Sequence, residues 1–135
     1  MEFENHSLAI VADENIPEVE SYFSSLGSVT RVDGRLLTND QLKDADILLV
    51  RSVTDGREAL LAGSRVGFVA TETIGTDHLD IDYLDNNGIG WASAPGCNAD
   101  SVVDFVISAI CRMEGLLKWL LADGVVGIIG LGNVD

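Results

Sequence analysis

Positive charge is scarce in this chain. Eight Lys and Arg residues face 22 Asp and Glu, a formal net charge of −14 over 135 residues. Lys43 and Lys118 are the only lysines. Such a field repels phosphate backbones and anionic lipid headgroups, so nucleic acid and membrane are set aside as partners. It also repels anionic substrates, so an anion site here must be a local concentration of donors. Cysteine is scarce too. Cys97 and Cys111 have neither metal-site nor redox-pair spacing and read as two reduced thiols of a cytosolic protein. Long apolar runs are missing: residues 102–121 are the most apolar, yet carry Asp104, Arg112, Glu114 and Lys118, too many charges for a membrane span. The opening MEFENHS is acidic where a secretory signal is basic, and no apolar h-region follows, so a cytoplasmic location is expected. With 47% hydrophobic and 22% charged residues, the composition is that of a globular chain with room for one full domain.

What is present alternates. Strand-length apolar runs are SLAIVAD from Ser7, SVTRV from Ser28, DILLV at 46–50, VGFVA at 66–70 and GIGWAS from Gly88. Segments with helical spacing lie between them. Pro17 suits the first position of a helix that turns Val19, Tyr22, Phe23 and Leu26 to one face and stops at Gly27. Asn39 and Asp77 are expected caps, and REALLAG at 57–63 a short helix ended by glycine. Five strands separated by helices imply βαβ units and a parallel sheet covered on both faces. After SAPG the rhythm changes. Asn98 is expected to cap a helix over 99–114, with Val102, Val103, Val106, Ile107, Ile110 and Met113 spaced for burial. VVGIIG at 125–130 reads as a sixth strand. The expected organisation is an α/β, flavodoxin-like domain over 7–94. The first helix and strand of a second α/β unit, over 95–135, follow it.

In open parallel sheets, ligands sit beyond the carboxyl ends of the strands. Three loops there attract attention: DENIP at 13–17, RSVTDG at 51–56 and TETIGTDH at 71–78. The second offers Arg51, Ser52 and Thr54. The third offers Thr71, Thr73, Thr76 and the backbone amides around Gly75. Hydroxyls, amides and a guanidinium are what a carboxylate or phosphate needs; turn formation and capping account for the same residues. The Asp13-Glu14 pair suggests a receiver domain with a Mg²⁺ site, but Arg51-Ser52 stands where that chemistry needs a phosphate-accepting Asp. His78, Asp80 and Asp82 could be drawn as a metal cluster, yet their spacing points them to different helix faces, and helix capping explains them. Cys97 precedes a helix start with no base beside it in sequence. No metal site is expected.

The stretches VADENIP, LLVRSVT, TETIGTDHLD, GIGWASAPGCNADSVVDFV and VGIIGLGNV resemble, in order and spacing, the NAD-dependent D-2-hydroxyacid dehydrogenases. The resemblance implies a cytoplasmic enzyme, homodimeric as a whole, using NAD on a phosphorylated 2-hydroxy acid. It implies substrate contacts at Ser52 and Thr73, with Arg51 and Gly75 in the same loops. Its NAD contacts fall on Asn133 and Val134, in a Rossmann turn shaped by Gly130 and Gly132. Glu72, Ile74 and Asp135 depart from the family pattern. The family's catalytic Arg, Glu and His, and the acid that holds the ribose, have no counterpart in these 135 residues, so no catalytic residue is expected. The expectation is the N-terminal portion of a dehydrogenase, inactive alone. The alternative is a flavodoxin-like binding module without catalysis.

Overall fold

The computed structural model describes residues 7–130 and 132. Five strands form one parallel sheet: β1 (Leu8–Asp13), β2 (Gly27–Val32), β3 (Ile47–Val50), β4 (Phe68–Thr71) and β5 (Gly90–Ala92). Their order is β2-β1-β3-β4-β5. The chain runs outward from β1 to one edge, returns, and builds the other half from β3, so the switch point lies between β1 and β3. This is the doubly wound α/β architecture expected from the alternation.

Strand alternation divides the core in two. Val11, Leu48, Val50 and Val69 face one side with Leu42, Leu60, Leu61 and Leu84. Those four leucines come from the 3₁₀ turn Asn39–Leu42, helix α2 (Glu58–Leu61) and helix α3 (Ile81–Asn86). Ile10, Ala12 and Leu49 face the other side with Val19 of helix α1 (Val19–Phe23). Residues one apart thus serve opposite faces, as period-two geometry demands. Ile10, Leu42, Leu48, Val69 and Leu84 are fully buried.

Several local expectations shift. α1 begins at Val19 instead of at Pro17, because Glu18 adopts a left-handed φ of 54° immediately before it. Of the expected apolar face, Val19 is buried and Phe23 half-buried, but Tyr22 is 73% and Leu26 50% exposed. A helix of five residues is too short to turn four side chains toward one sheet. Gly27 starts β2 and pairs with Leu8. A Cβ on Gly27 would collide with the backbone of Leu8, so the close approach itself requires glycine. Thr38, not Asn39, occupies the N-cap of the 3₁₀ turn, its N–H donating to Gln41 Oε1 at 2.9 Å. Asn39 instead donates from Nδ2 to the carbonyls of Leu60 and Ala62, tying this turn to the end of α2. Asp80, not Asp77, caps α3, accepting from the Tyr83 N–H at 3.0 Å.

The chain divides into two compact units, one ending at Ala94 and the other beginning at Pro95. The second unit contains helix α4 (Ala99–Arg112) and helix α5 (Leu116–Leu121). Asn98 holds the N-cap position of α4 but makes no side-chain cap bond. The apolar positions expected to be buried are not: Val103, Val106, Ile107 and Met113 are exposed, and α4 buries no residue. Residues 125–130 form no strand, and Val125, Ile128 and Ile129 are exposed. A strand exists only through ladder partners, and the described residues give this segment none. Among the described residues, no helix is long and apolar enough to cross a membrane.

Candidate functional site

β3 and β4 are neighbours in register, with Val50 opposite Thr71. The residues that follow each strand therefore emerge side by side at the carboxyl end of the sheet. Arg51 and Ser52 follow β3; Glu72 and Thr73 follow β4. The sequence expectation that Ser52 and Thr73 share one end of the sheet holds, with Ser52 exposed and Thr73 half-buried. The two loops are stitched together. Glu72 N–H donates to Val50 O at 3.0 Å, Gly56 N–H to His78 O at 2.8 Å, and Asp80 N–H to Gly56 O at 3.3 Å. A Thr54 N–H to Arg51 O bond of 3.1 Å closes the turn around Ser52.

Arg51, offered by the sequence as a cation of the site, is already paired. Its Nε lies 3.2 Å from Glu72 Oε2, and both side chains are a little over one third exposed. Adjacent parallel strands bring the first residue after each to the same level, so the pair follows from the register. Arg57, the other cation of these loops, pairs with Asp55 at 2.6 Å.

The third loop holds a hydroxyl chain. Thr73 Oγ1 donates to Gly75 O at 3.0 Å and lies 2.8 Å from Thr71 Oγ1, which is 2.9 Å from His78 Nε2. Thr71 is buried, Thr73 and His78 half-buried. Gly75 contributes this carbonyl and is itself exposed. Burial lowers the His78 pKa from its usual 6.5, against the opposing pull of Asp77 and Asp55. His78 thus belongs to a hydrogen-bonded chain with the threonines. Reading it with Asp80 and Asp82 missed this; the T-x-T after β4 hinted at two neighbouring hydroxyls, but no spacing signal pointed to His78. Among the described residues, no three His, Cys, Asp or Glu side chains are grouped to hold a metal.

Asp13, at the end of β1, is buried, with Oδ1 accepting from Asn15 N–H at 2.8 Å. Asp13 Oδ2 and Thr54 Oγ1 have no hydrogen-bond partner, and both lie against the Cα of Gly34, where a Cβ would meet them. This packing joins the ends of β1, β2 and β3, a function that sequence reasoning did not give these residues. A cavity of about 330 Å³ beside it is lined by Gly34, Thr38, Thr54 and Leu60, among others. Cys97 and Cys111 are exposed and form no disulfide.

In the second unit, Gly130 has a φ of 107°, a conformation L side chains rarely adopt, and Gly132 lies in a bend. Asn133 and Val134, expected to contact NAD, lie outside the described residues.

The family model for the catalytic domain of D-isomer specific 2-hydroxyacid dehydrogenases matches residues 9–122. The erythronate-4-phosphate dehydrogenase of Cellvibrio japonicus is 54% identical over 127 residues, covering 94% of this chain and 32% of that protein. The erythronate-4-phosphate dehydrogenase of Marinobacter nauticus is 54% identical over 130 residues, covering 94% of this chain and 33% of its own length. The chain thus spans about a third of the length of the curated relatives it matches. A solved NAD+-bound 3-phosphoglycerate dehydrogenase from Entamoeba histolytica shares the fold, with a TM-score of 0.60 and 24% identity, covering 76% of this chain and 38% of that one. The chain belongs to the D-isomer-specific 2-hydroxyacid dehydrogenase family.

Proposed function

We propose that the carboxyl ends of β3 and β4 form the substrate side of an NAD-dependent dehydrogenase acting on 4-phospho-D-erythronate. The product is 2-oxo-3-hydroxy-4-phosphobutanoate, and the step serves pyridoxal 5'-phosphate synthesis. One observation carries the reading: the register of β3 with β4 gathers Arg51, Ser52 and Thr73 at one end of the sheet. Hydroxyls, loop amides and a guanidinium are the donors a doubly anionic acid requires. The names of the relatives at 54% identity support the same substrate.

Oxidation removes a hydride from C2 and a proton from its hydroxyl; NAD, when bound, would accept the hydride, and the family's acid–base His, which has no counterpart in these 135 residues, would take the proton. The positive φ of Gly130 fits a turn in which backbone approaches a pyrophosphate, and Gly130, Gly132, Asn133 and Val134 would hold the cofactor there. What the described residues contribute is binding: Ser52 and Thr73 donate to ligand oxygens, and Arg51 supplies positive charge. Residues 7–94 serve as the substrate-binding domain, and 95–135 open the cofactor domain. The whole enzyme is a cytoplasmic homodimer, and the 135 residues alone bind without turnover.

NMR titration with 4-phosphoerythronate tests this. Amides of 51–54 and 73–76 should shift before any others, with millimolar affinity at best, worth about 4 kcal/mol. The double substitution Ser52→Ala with Thr73→Ala should abolish the shifts. Shifts confined to 13–15, or unaffected by the double substitution, place the site elsewhere. A second reading, a binding module that catalyses nothing, draws on the complete five-stranded sheet and two-sided core of the first unit. It predicts no response of the Gly130 and Gly132 amides to NAD, whereas the dehydrogenase reading predicts one.

A further inference from the structure

A threonine hydroxyl has one proton, and its direction is settled by its neighbours. A carbonyl can only accept. The 3.0 Å contact between Thr73 Oγ1 and Gly75 O therefore commits the Thr73 proton to that carbonyl. The 2.8 Å contact with Thr71 Oγ1 must then be donated by Thr71. Thr71 has spent its own proton, so the 2.9 Å contact with His78 needs a proton on Nε2. The whole chain has one direction, from His78 Nε2–H through Thr71 and Thr73 to Gly75 O.

We infer that His78 is a positioning residue of the anion site, which acts through Thr71 to hold Thr73 as a hydrogen-bond donor at the strand ends. This rests on the reading of Thr73 as a ligand contact. With the neutral proton on Nδ1, Nε2 would accept from Thr71, Thr71 would have to accept from Thr73, and the Thr73 proton would point into the protein. With it on Nε2, the Thr73 proton goes to the carbonyl of the exposed Gly75. An incoming oxyanion need only replace the Gly75 carbonyl, and no hydroxyl upstream has to rotate. Hydrogen bonds in a chain also polarise one another, so the terminal hydroxyl is a better donor than an isolated one.

The surroundings agree with a neutral, oriented imidazole. Burial lowers the His78 pKa, so near neutrality the ring carries one proton and its tautomer matters. The backbone on either side is fixed. His78 O accepts from Gly56 N–H at 2.8 Å, and Asp77 O from Arg57 Nη2 at 3.4 Å. Asp77 and Asp55 are the acidic groups whose charge reaches the ring. Protonation adds a proton at Nδ1 and leaves the chain's direction unchanged.

Two measurements on the 135-residue chain test this. Long-range ¹H–¹⁵N correlation of the imidazole at pH 7.5 should show His78 as the neutral Nε2–H tautomer; an Nδ1–H tautomer overturns the inference. The second is titration with inorganic phosphate, read at the amides of 73–76. Thr71→Val and His78→Phe should each weaken binding about fivefold, the worth of one neutral hydrogen bond. Thr71→Ser should retain wild-type binding, and the Thr71→Val, His78→Phe pair should lose no more than either change alone. Equal binding by wild type and folded Thr71→Val, or independent losses that multiply in the pair, overturns the inference. If phosphate shifts no strand-end amide in the wild type, the site assignment fails, and the tautomer still reports on the hydroxyl chain separately.

Discussion

Arg51 and Glu72 face one another across the ends of two neighbouring strands, Nε to Oε2 at 3.2 Å. The guanidinium that an anionic ligand would seek is met by a carboxylate from its own chain. An arriving phosphate has to compete with Glu72 for Arg51 and also approach its charge. Glu72→Gln is therefore expected to tighten phosphate binding. Both side chains are over one third exposed, so screening keeps the effect to about two- to fivefold, the range of an exposed ion pair. Isothermal or NMR titration at low salt checks it, with Asp44→Asn as a control for the same change in net charge. An equal gain from the control means bulk charge, not the pair, is responsible.

Gly34 should tolerate no side chain. A Cβ there would lie 2.5 Å from Thr54 Oγ1 and closer still to Asp13 Oδ2, both on fully buried side chains. Gly34→Ala is expected to cost about 1–3 kcal/mol, the usual range for overpacking. Chemical denaturation followed by circular dichroism measures this. In contrast, Thr54→Val removes a buried hydroxyl without a partner and keeps the shape. It should leave stability unchanged or raise it by about 1 kcal/mol.

His78 gives stability a pH dependence with a definite sign. Its folded pKa lies below 6.5, so the unfolded chain binds more protons in the interval between the folded value and 6.5. Stability should therefore fall as pH drops through that interval and be fully present above 6.5. The His78 component is isolated as the difference between wild type and His78→Gln in denaturation midpoints at pH 7.5 and pH 5.5. The variant should show the smaller drop.

Leu48 sits on β3 at zero accessibility, in one core cluster with residues of three helical segments. Leu48→Ala should destabilise by about 2–5 kcal/mol. A loss well under 1 kcal/mol would mean this side of the sheet is not the closed core described.

The apolar side chains of α4 and α5 are expected to drive self-association of the 135-residue chain. Phe105 is 74%, Ile107 54%, Trp119 50% and Leu121 79% exposed. Sedimentation velocity should show concentration-dependent association that Phe105→Ser with Leu121→Ser reduces. A strict monomer across the concentration range contradicts it.

The sequence by itself determined the alternation of five strands with short helices in the first unit, and the family. Apolar runs at strand length, alternating with short amphipathic segments, favour βαβ units and hence a parallel sheet buried on both faces. RSVT and TETIGTDH marked the loops that follow β3 and β4, where the proposed donors lie. Only the tertiary structure decided what those donors are bonded to. The register of β3 with β4 set Glu72 beside Arg51, and the fold of the third loop set His78 on Thr71. Residue spacing reveals neither contact: the first depends on which strand ends are neighbours and at what level, the second on how the loop after β4 turns back onto Thr71. The same reason explains the failed expectations in α4 and at 125–130. Periodicity shows which side chains could be buried, but burial and strand pairing need a second surface, which a local pattern cannot supply.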